Sequence, residues 1–294
     1  MQRLVPVKPP ARPLVLVGGF AANGLLEAER HHDRLYRGKQ IWPPFHFDPV
    51  NGDWSLHSVS EVTKPGLIPA GFLPGQYEPL LLFLEEELGY RPGHDLFLFP
   101  YRWTESVHLS GRRLAGFLET LGFPAVDLVA HSLGGQLARV AGLLYGARIH
   151  KLALLACPFH GAGKAYFDLH PALNVQLVDN LVFNRLLERL LPFGDVDLTT
   201  TFQKMDSLFD LLPDRFAFES GLSPLQSRAS LRKPPRLAES WQEAYADFPE
   251  FLQPRLQQAM QLKEELGQRV PGETYLNLYS EEFPTLGRVD NTFG

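Results

Sequence analysis

Cysteine is almost absent from this sequence: Cys157 is the only one among 294 residues, which excludes a disulfide framework. Cys157 closes the apolar run Leu152–Ala156, so a buried structural thiol is expected there rather than a nucleophile. Long apolar runs are missing as well. No segment has the ~20 apolar residues that a bilayer-spanning helix needs. The stretch Met1 to Pro10 carries basic residues but no apolar run of signal-peptide length before its prolines, and a cytoplasmic location is the expectation. Nor does one sign of charge dominate. With 28 Lys and Arg against 33 Asp and Glu the formal net charge is −5, both signs are interspersed, and no nucleic-acid partner is expected.

What the chain does have is an apolar strand pattern that stops at a serine. Val126-Asp127-Leu128-Val129-Ala130 is followed by His131-Ser132-Leu133-Gly134-Gly135, and then by Gln136 to Tyr145 with the apolar spacing of a helix. Such a run matches a strand buried on both faces of a parallel sheet, so Ser132 falls on a strand-to-helix turn. The turn has the form of the nucleophile elbow G-x-S-x-G, with Ala130 in the first position. A serine held in a strained backbone needs small neighbours two residues to either side, and Ala130 and Gly134 supply them. This geometry exposes the Ser132 hydroxyl and aims the Leu133 amide, at a helix start, toward a developing oxyanion.

Upstream, Pro13 to Val17 reads as a strand ending in Gly18-Gly19-Phe20-Ala21-Ala22-Asn23-Gly24. A glycine loop at a strand exit can turn its amides into a site, and the Phe20 amide is the candidate second oxyanion donor. Residues 27–74 are rich in Pro, Trp and His without sustained period and are expected to form an irregular, lid-like insertion. His31, His32, His46 and His57 within it match no common metal-ligand spacing. Pro79 to Leu88 and Gly111 to Leu121 read as amphipathic helices, and Asp95 to Phe99 as a strand leading into Pro100-Tyr101-Arg102-Trp103. The repeated strand-helix-strand order predicts an α/β fold, a mostly parallel sheet flanked by helices, with ligands at the carboxyl ends of its strands.

Several of these segments, in this order, resemble the lecithin:cholesterol acyltransferase family of α/β-hydrolases. They are the early glycine loop, Gly71-Phe72 before the Tyr77 to Tyr90 helix, Phe97 to Trp103, Ala130 to Gly135, and Cys157-Pro158-Phe159-His160-Gly161. Leu211-Leu212-Pro213 and Tyr275-Leu276-Asn277-Leu278-Tyr279 with Pro284-Thr285 resemble the family's final third. The Pro-Tyr-x-Trp segment is more family-specific than the elbow. The resemblance implies a single α/β-hydrolase domain over 1–294 and a lipid or other acyl-ester substrate reached at a membrane or lipid surface. It also implies Ser132 as nucleophile, the Phe20 and Leu133 amides as oxyanion donors, and Trp103 beside the cleft where substrate binds.

A serine nucleophile requires a base, and in this fold the order along the chain is Ser, acid, His. After Ser132 the only histidines are His150, His160 and His170, all before the region where the family places its acid and histidine. Three explanations stand open. The favoured one is a fragment whose triad acid and histidine lie beyond Gly294. In the second, His160 substitutes as base, although a loop histidine facing solvent or another loop is the plainer expectation. In the third, the chain is a catalytically silent lipid-binding or partner protein; a thioesterase or small-ester hydrolase would share Ser132. Asp290 is read as a solvated charge.

Residues 164–270 are expected to form a helical cap over the site, beginning with a broad apolar helix over 172–191 and ending with one or two helices over 237–267, interrupted near Pro249 and Pro254. No metal or organic cofactor is expected. Gly161-Ala162-Gly163-Lys164 lacks the glycine spacing and the following Ser or Thr of a phosphate loop.

Overall fold

The computed structural model describes residues 12–31, 34–43, 45–48, 53–56, 59–73, 75–169, 198–219, 242, 245–246 and 248–278. The expected helix over 172–191, the stretch beyond Glu219 to Arg236, His170, Pro284, Thr285 and Asp290 lie outside them. Two compact units divide the chain. One comprises Met1–His57, Lys64–Cys157 and Gln268–Tyr279, the other Ser58–Thr63, Pro158–Gly267 and Ser280–Gly294.

The first unit is built on strand β1 (Leu14–Val17), whose four residues are all buried. Its neighbours are β7 (Leu96–Phe99) and β8 (Val126–His131), and the sheet continues through β9 (Ile149–Leu155) to β10 (Thr274–Leu278) in the order β10-β9-β8-β1-β7. Every pairing is parallel. Because alternate residues point to opposite faces, β1 serves two layers. Leu14 and Leu16 join a core with Leu84 and Leu96, while helix α3 (Leu133–Leu143) packs on β1, β8 and β9 and against α2 (Val107–Thr120). The register places Val17 opposite both Phe99 and Ala130. Three strand exits, at Gly18, Pro100 and Ser132, therefore open at one level of the sheet.

Stretch 27–74, expected to be irregular, is largely strand. β2 (Asn23–His31) pairs antiparallel with β3 (Arg34–Trp42) and β6 (Ile68–Phe72), and β4 (Phe45–Asp48) with β5 (Asp53–Leu56). Register shifts between Leu25 and Leu26 and between Leu26 and Ala28 break the alternation that would have marked β2 as a strand. The helix expected over 79–88 is α1 (Glu78–Leu82), continuing as a π-helical turn over Phe83–Glu87. In the second unit the described helices are α4 (Gly163–Leu169), α5 (Leu198–Phe202), α6 (Asp206–Asp210), α7 (Arg215–Glu219) and α8 (Gln253–Leu266). Pro254 stands in the first turn of α8, where its missing N–H is no loss, and starts the helix rather than interrupting it.

Among the described residues no helix is long and apolar enough to cross a membrane, and no cluster of three or more His, Cys, Asp or Glu side chains is arranged to hold a metal ion.

Candidate active site

Ser132 lies between β8 and α3 at φ 51° and ψ −121°. Positive φ at a non-glycine costs of order 1–3 kcal/mol and persists only where the surroundings enforce it. Here the Ser132 amide donates to the Leu155 carbonyl at 2.9 Å, and the Ser132 carbonyl accepts from the Gly135 amide at 3.0 Å. Ser132 is the N-cap of α3, yet its side chain makes no capping hydrogen bond. The hydroxyl is not used to hold the helix. The small neighbours are required: a Cβ on Gly134 would lie 2.5 Å from the Val17 carbonyl oxygen and 2.6 Å from that of Gly18, and Ala130 is fully buried.

The glycine loop at the exit of β1 comes directly against this serine. A Cβ on Gly19 would meet Ser132 Cβ at 3.0 Å and His131 Nδ1 at 3.1 Å. The loop turns tightly, with the Ala22 amide donating to the Gly19 carbonyl at 3.3 Å and Ala21 at φ 59°. Aromatic side chains from outside the loop take its polar groups one by one. The Tyr77 hydroxyl accepts from the Gly19 amide at 2.9 Å and lies 2.8 Å from His131 Nδ1. The Tyr101 hydroxyl lies 2.9 Å from the Gly18 carbonyl and 3.0 Å from that of Gly19. The Trp42 indole donates to the Ala21 carbonyl, and the Trp103 indole to the Asn23 carbonyl, each at 3.0 Å. No hydrogen bond engages the Phe20 amide among the described residues.

Of the residues expected from the sequence, Ser132, Leu133 and Phe20 are thus gathered where three strands end. Leu133 opens α3, so its amide belongs to the helix's free amino-terminal donors. Trp103 is only 2% exposed and packs edge-on against Phe20 and Trp42 at centroid distances of 4.7 and 5.3 Å. Spacing does not single out Tyr77, Tyr101 and Trp42, because they hold backbone groups remote in sequence, nor His131, whose partner is the Tyr77 hydroxyl 54 residues away.

Burial sets the ionisation of this cluster. It pushes both tyrosine hydroxyls up, Tyr101 well above its ordinary value, and pulls His131 down toward the neutral imidazole. Cys157 donates its thiol to the Ala130 carbonyl at 3.3 Å. Burial raises it to about 11, against the lowering effect of the Leu155, Gly135 and Ser132 backbone. That keeps the thiol protonated and unreactive at neutral pH.

His150 Nδ1 sits 2.9 Å from Asp127 Oδ1. Asp127 is at the opening of β8, five residues before Ser132, roughly 16 Å away along a strand. His150 is committed to the far end of the sheet. In the second unit, His160 Nδ1 lies 3.1 Å from Asp214 Oδ2. Asp214 is buried and its other oxygen accepts from the Ala217 amide at 3.1 Å. The Asp214 amide in turn donates to the His160 carbonyl at 3.1 Å. Burial alone would raise the Asp214 carboxyl, but the hydrogen bond to His160, the Lys263 charge and the Ala217 amide outweigh it and hold the group below its usual range. The loop histidine foreseen at 160 is in fact oriented by an ionised carboxylate.

Over residues 72–276, more than half its length, the sequence matches the alpha/beta hydrolase family. Comparison with curated protein sequences gave no match. Among solved structures, a probable hydrolytic enzyme from Pseudomonas aeruginosa aligns at 16% identity over 94% of this chain and 80% of that one, with a TM-score of 0.36. A Bacillus licheniformis lipase aligns in its propeptide form at 16% identity over 70% of this chain and 32% of that one, TM-score 0.34. Its mature form aligns at 13% identity over 67% and 64%, TM-score 0.35. The chain thus spans about a third of the lipase with its propeptide and under two thirds of the mature lipase. With its parallel sheet and strand-to-helix serine, the chain belongs to the alpha/beta hydrolase family and has that family's fold.

Proposed function

We propose that the chain is a serine hydrolase or acyltransferase of acyl esters, working through an acyl-Ser132 intermediate. The observation that carries this is the backbone of Ser132, held at positive φ with its hydroxyl free of capping. Strain of this kind has a cost that a structural serine would not need. In the reaction the Ser132 oxygen attacks the ester carbonyl as its proton passes to an imidazole. The carbonyl oxygen, now negative, takes hydrogen bonds from the Leu133 and Phe20 amides, and the alcohol leaves with the proton. Water or a second alcohol then repeats the sequence on the acyl-enzyme.

A lipid-type acyl chain is the substrate class that the resemblance of Pro100 to Trp103 and of the elbow to the lecithin:cholesterol acyltransferase family favours. Leu82 and Phe83, 47% and 44% exposed on the helix that Tyr77 opens, give an apolar surface suited to a lipid interface.

Fluorophosphonate labelling read by intact mass tests the reading. The wild-type chain is expected to gain one adduct and Ser132→Ala none. Hydrolysis should favour p-nitrophenyl decanoate over the acetate if the acyl site is lipid-like. A wild-type chain that stays unlabelled sinks the hydrolase reading and favours a silent lipid-binding relative.

A further inference from the structure

Deepening that function, and resting on Ser132 as its nucleophile, we infer that Tyr77 and Tyr101 are positioning residues that set the Phe20 amide as oxyanion donor by locking the Gly18-to-Asn23 loop through its backbone. An oxyanion amide acts only if it is fixed before the charge develops. A loop with two glycines has no intrinsic preference for the required conformation, so the rigidity must come from outside it.

The hydrogen-bond pattern shows where. Tyr101 approaches the carbonyls of Gly18 and Gly19 with one hydroxyl proton, Trp42 takes that of Ala21, and Trp103 that of Asn23. The Ala22 carbonyl accepts from Leu73. Tyr77 removes the Gly19 amide from competition and the Ala22 amide is taken by the Gly19 carbonyl, which leaves the Phe20 amide, with that of Ala21, without a hydrogen bond in the turn among the described residues. The Tyr77 oxygen, which accepts from the Gly19 amide, also shares a hydrogen bond of 2.8 Å with His131 Nδ1. The residue before the nucleophile is thereby tied to the oxyanion loop through one hydroxyl. Phe20 itself is clamped by the Trp103 ring. The same tyrosine is the N-cap of α1, so loop, elbow and helix share a single polar junction.

Tyr77→Phe and Tyr101→Phe delete only the hydroxyls and preserve the ring packing of Tyr77 on Phe72 and of Tyr101 on Phe99. Two quantities are to be measured on the full chain: hydrogen-deuterium exchange of the peptide holding Gly18 to Asn23, and the rates of fluorophosphonate labelling and p-nitrophenyl butyrate hydrolysis. The expected result is at least tenfold faster exchange of the loop, unchanged exchange across α3, and a fall of about 10- to 10²-fold in labelling rate and kcat, as for a misplaced catalytic group. KM should stay within about twofold. Faster loop exchange with unchanged labelling overturns the positioning role, and so does unchanged exchange in both variants. Should the wild-type chain fail to label, the nucleophile assignment falls by itself, and with it the catalytic meaning of the lock, while the exchange data still decide whether the hydroxyls hold the loop.

Discussion

A serine at φ 51° is held there by its surroundings, and Gly134 shows how little room the turn between β8 and α3 has. The two oxygens that a Gly134 side chain would strike belong to the main chain of Val17 and Gly18, which cannot rotate away as a side-chain tip could. Gly134→Ala is therefore expected to cost about 1–3 kcal/mol, read as a lower urea midpoint, and to slow labelling of Ser132 because the displaced backbone is that of the oxyanion loop. Unchanged midpoint and labelling would mean that α3 can shift without disturbing the turn. At this scale Ser132, Leu133 and the glycine loop were legible in the sequence, since small residues around a strand-end serine have a local steric cause. The aromatic clamps were not. Trp42, Tyr77 and Trp103 reach their carbonyl and amide partners across 21, 58 and 80 residues, and backbone partners leave no mark in residue type.

The elements of the sheet were legible where apolar residues dominate, in the fully buried β1 and in β7 and β8, whose positions are buried or half-buried. β2 and β3 failed that test. Their register shifts break the alternation, and the exposed Glu27 and Lys39 interrupt any apolar run. Helix α2 illustrates a different error. The apolar spacing puts its start at Gly111, yet the helix begins after Ser106, whose hydroxyl accepts from the Leu109 amide at 3.3 Å. Glycine stands inside the helix because a Cβ there would come within 2.5 Å of Val140 Cβ on α3. Its helix-weakening effect of about 1 kcal/mol is the condition for close packing of α2 on α3. Gly111→Ala should thus destabilise the chain despite the better helix propensity of alanine, and Val140→Gly in the same chain, which removes both the Cβ and the Cγ1 that a Gly111 side chain would meet at 2.5 Å, should restore part of the loss. A double-mutant cycle of urea midpoints checks this; additive effects would show that the two positions do not press on each other.

On the scale of the whole molecule, two buried hydrogen-bonded groups in different units give stability two separate responses to acid. His131 is held below its ordinary value by burial. As pH falls through about 6.5 the unfolded chain takes up that proton first, and stability drops until the folded imidazole also protonates. Asp214 is likewise depressed, through His160, Lys263 and the Ala217 amide acting against burial. Its contribution is complete at neutral pH and is lost only as the unfolded carboxyl begins to protonate, near pH ~4, down through the lower folded value. The expected profile of urea midpoint against pH is a first decline below about 6.5 and a second, separate one below about 4. His131→Gln should flatten the first and leave the second, whereas Asp214→Asn should start lower at neutral pH and flatten the second. If His131→Gln keeps the upper decline, another group titrates there and the imidazole beside Tyr77 is not what resists protonation.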